Sequence, residues 1–264
     1  MSFLHGSLYS EVLNMDTSVS VVLPHDSRWH RGIIPLEPGI TAREKPKTMI
    51  LLHGLTDNWS AWSNRSKIFY FAECFDIAVV MPEVQRSFYQ DMQYGMHYYT
   101  YITQELPELV SKMFNVSIAP EDLMIAGQSM GGYGALMCGL SNPDRFHAIG
   151  AFSSVTDLQH FVFDIPVRKE TRGLDRDTIA IFGEKKHIPA QRDLYRLAEQ
   201  CASKKKCPKI YMACGLQDEL CSENVKLDQH LTQLGIAHKF ETWNGAHDWD
   251  FWDVAMKNFL HEVL

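Results

Sequence analysis

Ser129 stands in Gly127-Gln128-Ser129-Met130-Gly131, after the apolar run Leu123-Met124-Ile125-Ala126 and before Gly132-Tyr133-Gly134-Ala135-Leu136-Met137, which reads as a helix start. A serine flanked in this way sits on a tight strand-to-helix turn, with its hydroxyl lifted into a cleft. The small neighbours leave room for a strained backbone, and the helix dipole favours negative charge developing beside the hydroxyl. That is the presentation a weak nucleophile needs to attack an acyl carbon.

A serine nucleophile needs a base, and the base needs a carboxylate to orient it. An apolar strand ending at Cys214 runs into Gly215-Leu216-Gln217-Asp218-Glu219, and the last predicted strand runs into Asn244-Gly245-Ala246-His247-Asp248. Asp218 and His247 therefore each lie just past a strand's carboxyl end. With Ser129 they follow the chain order nucleophile, acid, base. Glu219 is the nearest rival acid. Of the twelve histidines, His238 falls inside a strand, His230 in an amphipathic helix and His261 near the end of the last helix. Asp248 and Asp250 read as caps of that helix.

A tetrahedral oxyanion needs two fixed N–H donors. The residue after the nucleophile, Met130, supplies one. The loop His53-Gly54-Leu55-Thr56-Asp57, which follows the apolar run at 48–52, supplies the other through Leu55. His53 is expected to support that loop. Trp59, Trp62, Phe88 and Tyr89 are candidate walls of a small apolar acyl pocket, while Trp249, Phe251 and Trp252 are expected to pack the last helix on the sheet.

These groups require a sheet whose strand ends share one rim. Continuous apolar runs at 48–52, 77–81, 148–152 and 209–214 read as strands buried on both faces. A strand at 238–243 has partial alternation, and one at 19–23 fits an antiparallel hairpin near the sheet edge. Helical spacing covers 63–74, 99–114, with Pro107 starting or interrupting it, and 249–263. Strands alternating with helices predict an α/β fold, a mostly parallel sheet with helices on both faces and its ligand site on one rim. Residues 24–46 read as loop with at most one short strand. Residues 155–200 carry one short candidate strand at 178–182. They are either a small cap insertion near the rim or a crossover helix with long surface loops.

The chain has 264 residues, 45% hydrophobic, enough for one sizeable domain spanning 1–264. A formal charge of −7, with no basic stripe beyond Lys204-Lys205-Lys206, argues against nucleic acid as a partner. No apolar run approaches the ~20 residues of a membrane span. Residues 1–10 carry no basic-plus-apolar leader, and six scattered cysteines without a paired motif fit free thiols in a reducing cytoplasm. Pairs 201/207 and 214/221 remain open as adventitious bridges. No zinc spacing is present, and the expected chemistry needs no metal or organic cofactor.

Leu-Leu-His-Gly-Leu-Thr-Asp-Asn (51–58), Gly-Gln-Ser-Met-Gly-Gly-Tyr-Gly-Ala (127–135), Cys-Gly-Leu-Gln-Asp (214–218) and Gly-Ala-His-Asp-Trp-Asp-Phe-Trp (245–252) together resemble the esterase D family. Within it the chain is most similar to the bacterial tributyrin esterases. The resemblance implies an α/β-hydrolase fold and a serine carboxylesterase acting on small-molecule esters of short acyl groups, through an acyl-enzyme. S-formylglutathione hydrolases share the serine motif but typically carry Cys where this chain has Asp57. A thioesterase, an acyltransferase and a binding protein on the same fold are the alternatives. A homo-oligomer is compatible with the sequence, which does not fix the oligomeric state.

Overall fold

The computed structural model describes residues 1–24, 34–164, 173–184 and 187–264. Eight strands form one sheet: β1 (Ser2–Ser10), β2 (Met15–Leu23), β3 (Lys47–Leu52), β4 (Ile77–Pro82), β5 (Leu123–Gln128), β6 (Ala148–Phe152), β7 (Lys209–Gly215) and β8 (His238–Trp243). Their spatial order is β1-β2-β4-β3-β5-β6-β7-β8. β1 and β2 pair antiparallel, β2 joins β4 antiparallel, and every later pairing is parallel.

The apolar runs form central strands because both of their faces are covered. Ile50 and Leu52 enter one core with Ile125 and Met212, whereas Met49 and Leu51 enter the other with Met124 and Ala213. The period of two in a strand sends neighbours to opposite faces, so an unbroken apolar run feeds two cores at once. Helix α1 (Ala61–Arg65) and α2 (Ile68–Cys74) precede β4, and a helical turn (Tyr98–Thr100) and π-turn (Tyr101–Glu105) lead into α3 (Leu106–Met113). Helix α4 (Met130–Ser141) follows β5 and is buried on every side except at its last residue. Then come α5 (Leu174–Phe182), α6 (Leu194–Lys204), α7 (Cys221–Gln233) and α8 (Trp249–Val263). Among the described residues no helix is long and apolar enough to cross a membrane.

Several expectations are corrected. Strand β1 was not expected. It is exposed on both faces along most of its length, so no burial period marks it. The helix at 63–74 is two helices, broken at Ser66 and Lys67. Pro107 lacks the N–H that would bond the carbonyl four residues back, and the chain opens into the π-turn just before it. The strand expected at 178–182 is the second half of α5. Leu174, Thr178 and Ile181 are buried at helical spacing, and Asp175 and Asp177 sit in the first turn, where the dipole favours them. Of the loop expected at 24–46, residues 25–33 lie outside the described residues, as do 165–172 and 185–186 of the 155–200 segment. All six cysteines are unbridged.

Candidate active site

Ser129 sits between β5 and α4 with φ 56° and ψ −118°, a left-handed backbone conformation that costs a side-chain-bearing residue energy. Hydrogen bonds hold the turn. The Ser129 N–H donates to the Phe152 carbonyl at 2.9 Å, and the Ser129 carbonyl accepts from the Tyr133 N–H at 3.1 Å and the Val155 N–H at 3.3 Å. Glycines let the turn approach its neighbours. A Cβ on Gly127 would meet the Gly131 carbonyl at 2.6 Å, and one on Gly131 would meet the Leu52 carbonyl at 2.5 Å. The turn is thereby packed against the end of β3, where the Leu55 loop begins.

Asp218 follows β7 and His247 follows β8. His247 Nδ1 lies 2.8 Å from Asp218 Oδ2. The carboxylate accepts, so Nδ1 carries the proton and Nε2 is left free to act as a base. Asp218 Oδ1 accepts from the Leu220 N–H at 2.9 Å. Burial alone would raise the Asp218 pKa, but the hydrogen bond and charge of His247 outweigh it and hold the carboxyl below its ordinary value. The Asp218 side chain is fully buried, whereas that of His247 is about a third exposed. Asp248 caps α8 by accepting from the Phe251 N–H at 3.0 Å.

A cavity of about 600 Å³ opens at this rim, and Ser129, His247 and Leu55 all line it. Asp218 stands behind His247. The Met130 side chain is fully buried in the core, so only its backbone faces the turn. Among the described residues, neither the Leu55 nor the Met130 N–H has a hydrogen-bond partner. His53 is buried at the base of the Leu55 loop. The Val84 N–H donates to its Nε2 at 3.3 Å, so Nδ1 carries the proton and donates to the Gly54 carbonyl at 2.8 Å. Burial lowers the His53 pKa and keeps this neutral form.

The walls differ from the expected ones. Trp62, Phe88 and Tyr89 are core residues with 0–1% exposure, and Trp59 stacks on His5 away from the cavity lining. Trp62 donates through Nε1 to the Leu52 carbonyl at 2.9 Å, and Tyr89 donates through its hydroxyl to the His53 carbonyl at 2.7 Å. Both buttress the Leu55 loop from behind. Trp249 and Trp252, expected only as packing, line the cavity, while Phe251 is packed against Trp243 as expected. The segment at 155–200 contributes His160, Phe161 and Asp164. The start of α7 contributes Glu223, and Glu219 stands before it. A signal for the tryptophans was present, since positions three apart at a helix start just past His247 share one face.

A family model described as "Putative esterase" matches residues 10–262. The chain belongs to this esterase family. An acetyl esterase of Caldicellulosiruptor saccharolyticus is 31% identical to the chain, covering 98% of it and 96% of the relative. Among solved structures, the fluorophosphonate-binding serine hydrolase F (FphF) of Staphylococcus aureus superposes with a TM-score of 0.85 at 29% identity, covering 99% of this chain and 98% of that one. The S-formylglutathione hydrolase (FrmB) of the same organism gives a TM-score of 0.82 at 29% identity, with the same coverage. The esterase has the α/β-hydrolase fold and is a serine hydrolase of carboxylic esters.

Proposed function

We propose that the esterase cleaves short-chain acyl esters through an acyl-enzyme formed on Ser129, with His247 as base, Asp218 as its orienting acid, and the Leu55 and Met130 N–H groups as the oxyanion hole. His247 Nε2 takes the Ser129 proton as the hydroxyl oxygen attacks the ester carbonyl. Negative charge gathers on the carbonyl oxygen, where two unpaired backbone donors stabilise it more than they stabilise the ground state. The imidazolium then protonates the departing alcohol. Water repeats the sequence on the acyl-enzyme, releasing the acid and restoring Ser129. Ser129 supplies the nucleophile and His247 the proton shuttle, so the cycle requires no metal or organic cofactor.

The observation that carries this reading is the 2.8 Å contact of His247 with Asp218 at the mouth of the cavity that Ser129 lines. Short esters such as tributyrin or acetates are the proposed substrates, the chain is a single hydrolase domain with 155–200 as its cap, and it works in the cytoplasm. Ser129→Ala is expected to lower kcat on p-nitrophenyl acetate by at least ~1000-fold and to abolish fluorophosphonate labelling. Labelling retained in that variant would refute the assignment.

A second reading, hydrolysis of the thioester S-formylglutathione, is favoured by the likeness to the staphylococcal enzyme of that name. Its test is the ratio of kcat/KM for S-formylglutathione and for tributyrin.

A further inference from the structure

Strand β1 ends the sheet, and among the described residues β2 is the one strand it pairs with. Its nine residues follow an unbroken register, from Ser2 opposite Leu23 to Ser10 opposite Met15. An antiparallel edge strand turns the N–H and C=O groups of alternate residues outward, where another strand can pair with them. Such edges are ordinarily blocked by a charge, a proline or a bulge. Ser2-Phe3-Leu4-His5-Gly6-Ser7-Leu8-Tyr9-Ser10 contains no Asp, Glu, Lys, Arg or Pro, and its pairing has no bulge. Phe3, Leu4 and Tyr9 are 43%, 45% and 51% exposed, so apolar surface flanks the open edge.

The strand is also close to a palindrome. Reversed about Gly6, it sets Phe3 opposite Tyr9, Leu4 opposite Leu8 and His5 opposite Ser7, with a serine at each end. In a two-fold antiparallel pair of identical strands, residues equidistant from the axis face each other. Phe3 and Tyr9 share one face by the period of two, and Leu4 and Leu8 share the other. Pairing about Gly6 therefore puts aromatic against aromatic on one face and leucine against leucine on the other, as stable cross-strand neighbours require. Gly6 suits the axis, since a Cβ built on it meets no atom within 4 Å. Charge agrees. The formal charge of −7 sets two copies against each other, but this strand carries none of it.

We infer that β1 is a self-association edge: a second copy of this chain pairs its own β1 antiparallel to this one about Gly6, joining two eight-stranded sheets into one. Nine residues span about 30 Å, and side chains on both faces widen that line into a strip of roughly 500 Å² per copy. The total, about 1,000 Å², meets the lower bound for a specific interface, so the dimer dissociates in the micromolar range. Ser129 follows β5, and β2, β4 and β3 stand between β1 and β5. The inference is therefore independent of the reading of Ser129, and breaking the pair leaves the active site intact.

Sedimentation velocity on the full chain, from about 1 to 100 μM, should show a concentration-dependent dimer. Leu4→Lys and Phe3→Lys should each raise its dissociation constant at least ~10-fold, with kcat on p-nitrophenyl acetate unchanged. The two variants lie on opposite faces of β1, so one decides the matter where the other fails to fold. Register is tested separately. Gly6→Cys sets two thiols opposite each other at a Cα separation of about 4.5–5.5 Å, which a disulfide spans, so copper phenanthroline in air should link most of this variant into dimers. Leu4→Cys lies about 14 Å from its own copy in that register and should link no more than the wild type. A monomer at every concentration, a dimer that neither lysine variant weakens, or a Gly6→Cys protein that links no better than Leu4→Cys would overturn the inference.

Discussion

Gln128 Nε2 donates to Asp57 Oδ2 at 2.8 Å, tying the residue before Ser129 to the loop that carries Leu55. The Asp57 N–H in turn donates to the Gly54 carbonyl at 3.2 Å, and Arg65 holds the other carboxylate oxygen. Gly54 allows the approach, since a Cβ there would lie 2.9 Å from Gln128 Nε2. The two proposed oxyanion donors thus belong to loops fixed to each other by one side-chain bond. Asp57→Ala is expected to lower kcat on p-nitrophenyl acetate about 10–100-fold with little change in KM, because donor placement matters most in the transition state. Asp57→Asn, which keeps an acceptor for Gln128, should recover much of that loss. An equal loss in both variants would point to Arg65 pairing instead, and a KM effect alone would remove Asp57 from oxyanion positioning.

Close backbone packing yields a second prediction. Helix α4 meets the end of β3 at Gly131, where a Cβ would stand 2.5 Å from the Leu52 carbonyl and 2.8 Å from that of His53. Both obstacles are backbone atoms, so no rotamer change relieves them. Gly131→Ala should cost about 1–3 kcal/mol in urea unfolding and should also lower activity, because the strand end it displaces leads into the Leu55 loop. Wild-type kinetics with lowered stability alone would show that the strand end shifts without moving the donors.

Trp62 separates burial from substrate contact. Its indole is 1% exposed, and its Nε1 is a hydrogen-bond partner of the Leu52 carbonyl. Trp62→Phe keeps most of the ring but strands that carbonyl, which should cost about 1–3 kcal/mol. Acyl-chain selectivity, measured over p-nitrophenyl esters of increasing length, should not change. A shift in the preferred length would return Trp62 to the pocket wall.

That correction shows what was legible in the sequence. The central strands were readable because β3, β4, β5 and β6 are buried on both faces and are therefore continuous apolar runs. The convergence of Ser129, Asp218 and His247 on one rim was readable because each follows a parallel strand's carboxyl end, and parallel pairing puts those ends together. β1 was not, because an exposed edge strand has no buried face to impose alternation. Residues 178–182 include the β-branched Thr178, Ile179 and Ile181, as a strand would, but Leu174 one turn earlier sets the helical period. The cavity wall was least legible. His160, Glu223 and Trp249 come from separate segments, and only the tertiary fold brings them into one cavity lining.

His53 gives the stability a predictable pH dependence. It is buried and neutral, with Val84 donating to Nε2 and Nδ1 donating to Gly54. Protonation would remove the acceptor that Val84 uses and place a cation beside the loop in a desolvated site. Its folded-state pKa is accordingly depressed, with burial the first cause and the charges of Glu83 and Asp57 opposing it. Between the folded and unfolded values the unfolded chain binds more protons, so stability rises with pH through that window. The His53 contribution is therefore complete above the ordinary histidine value of about 6.5 and is lost as pH falls from there through the folded value. His53→Gln retains an acceptor for Val84 and a donor for Gly54 but cannot titrate. Urea midpoints measured from about pH 8 down to pH 5 should fall less steeply in that variant than in the wild type. Parallel slopes would mean that His53 accepts its proton in the fold, and the neutral bridge between β4 and the Leu55 loop would have to be abandoned.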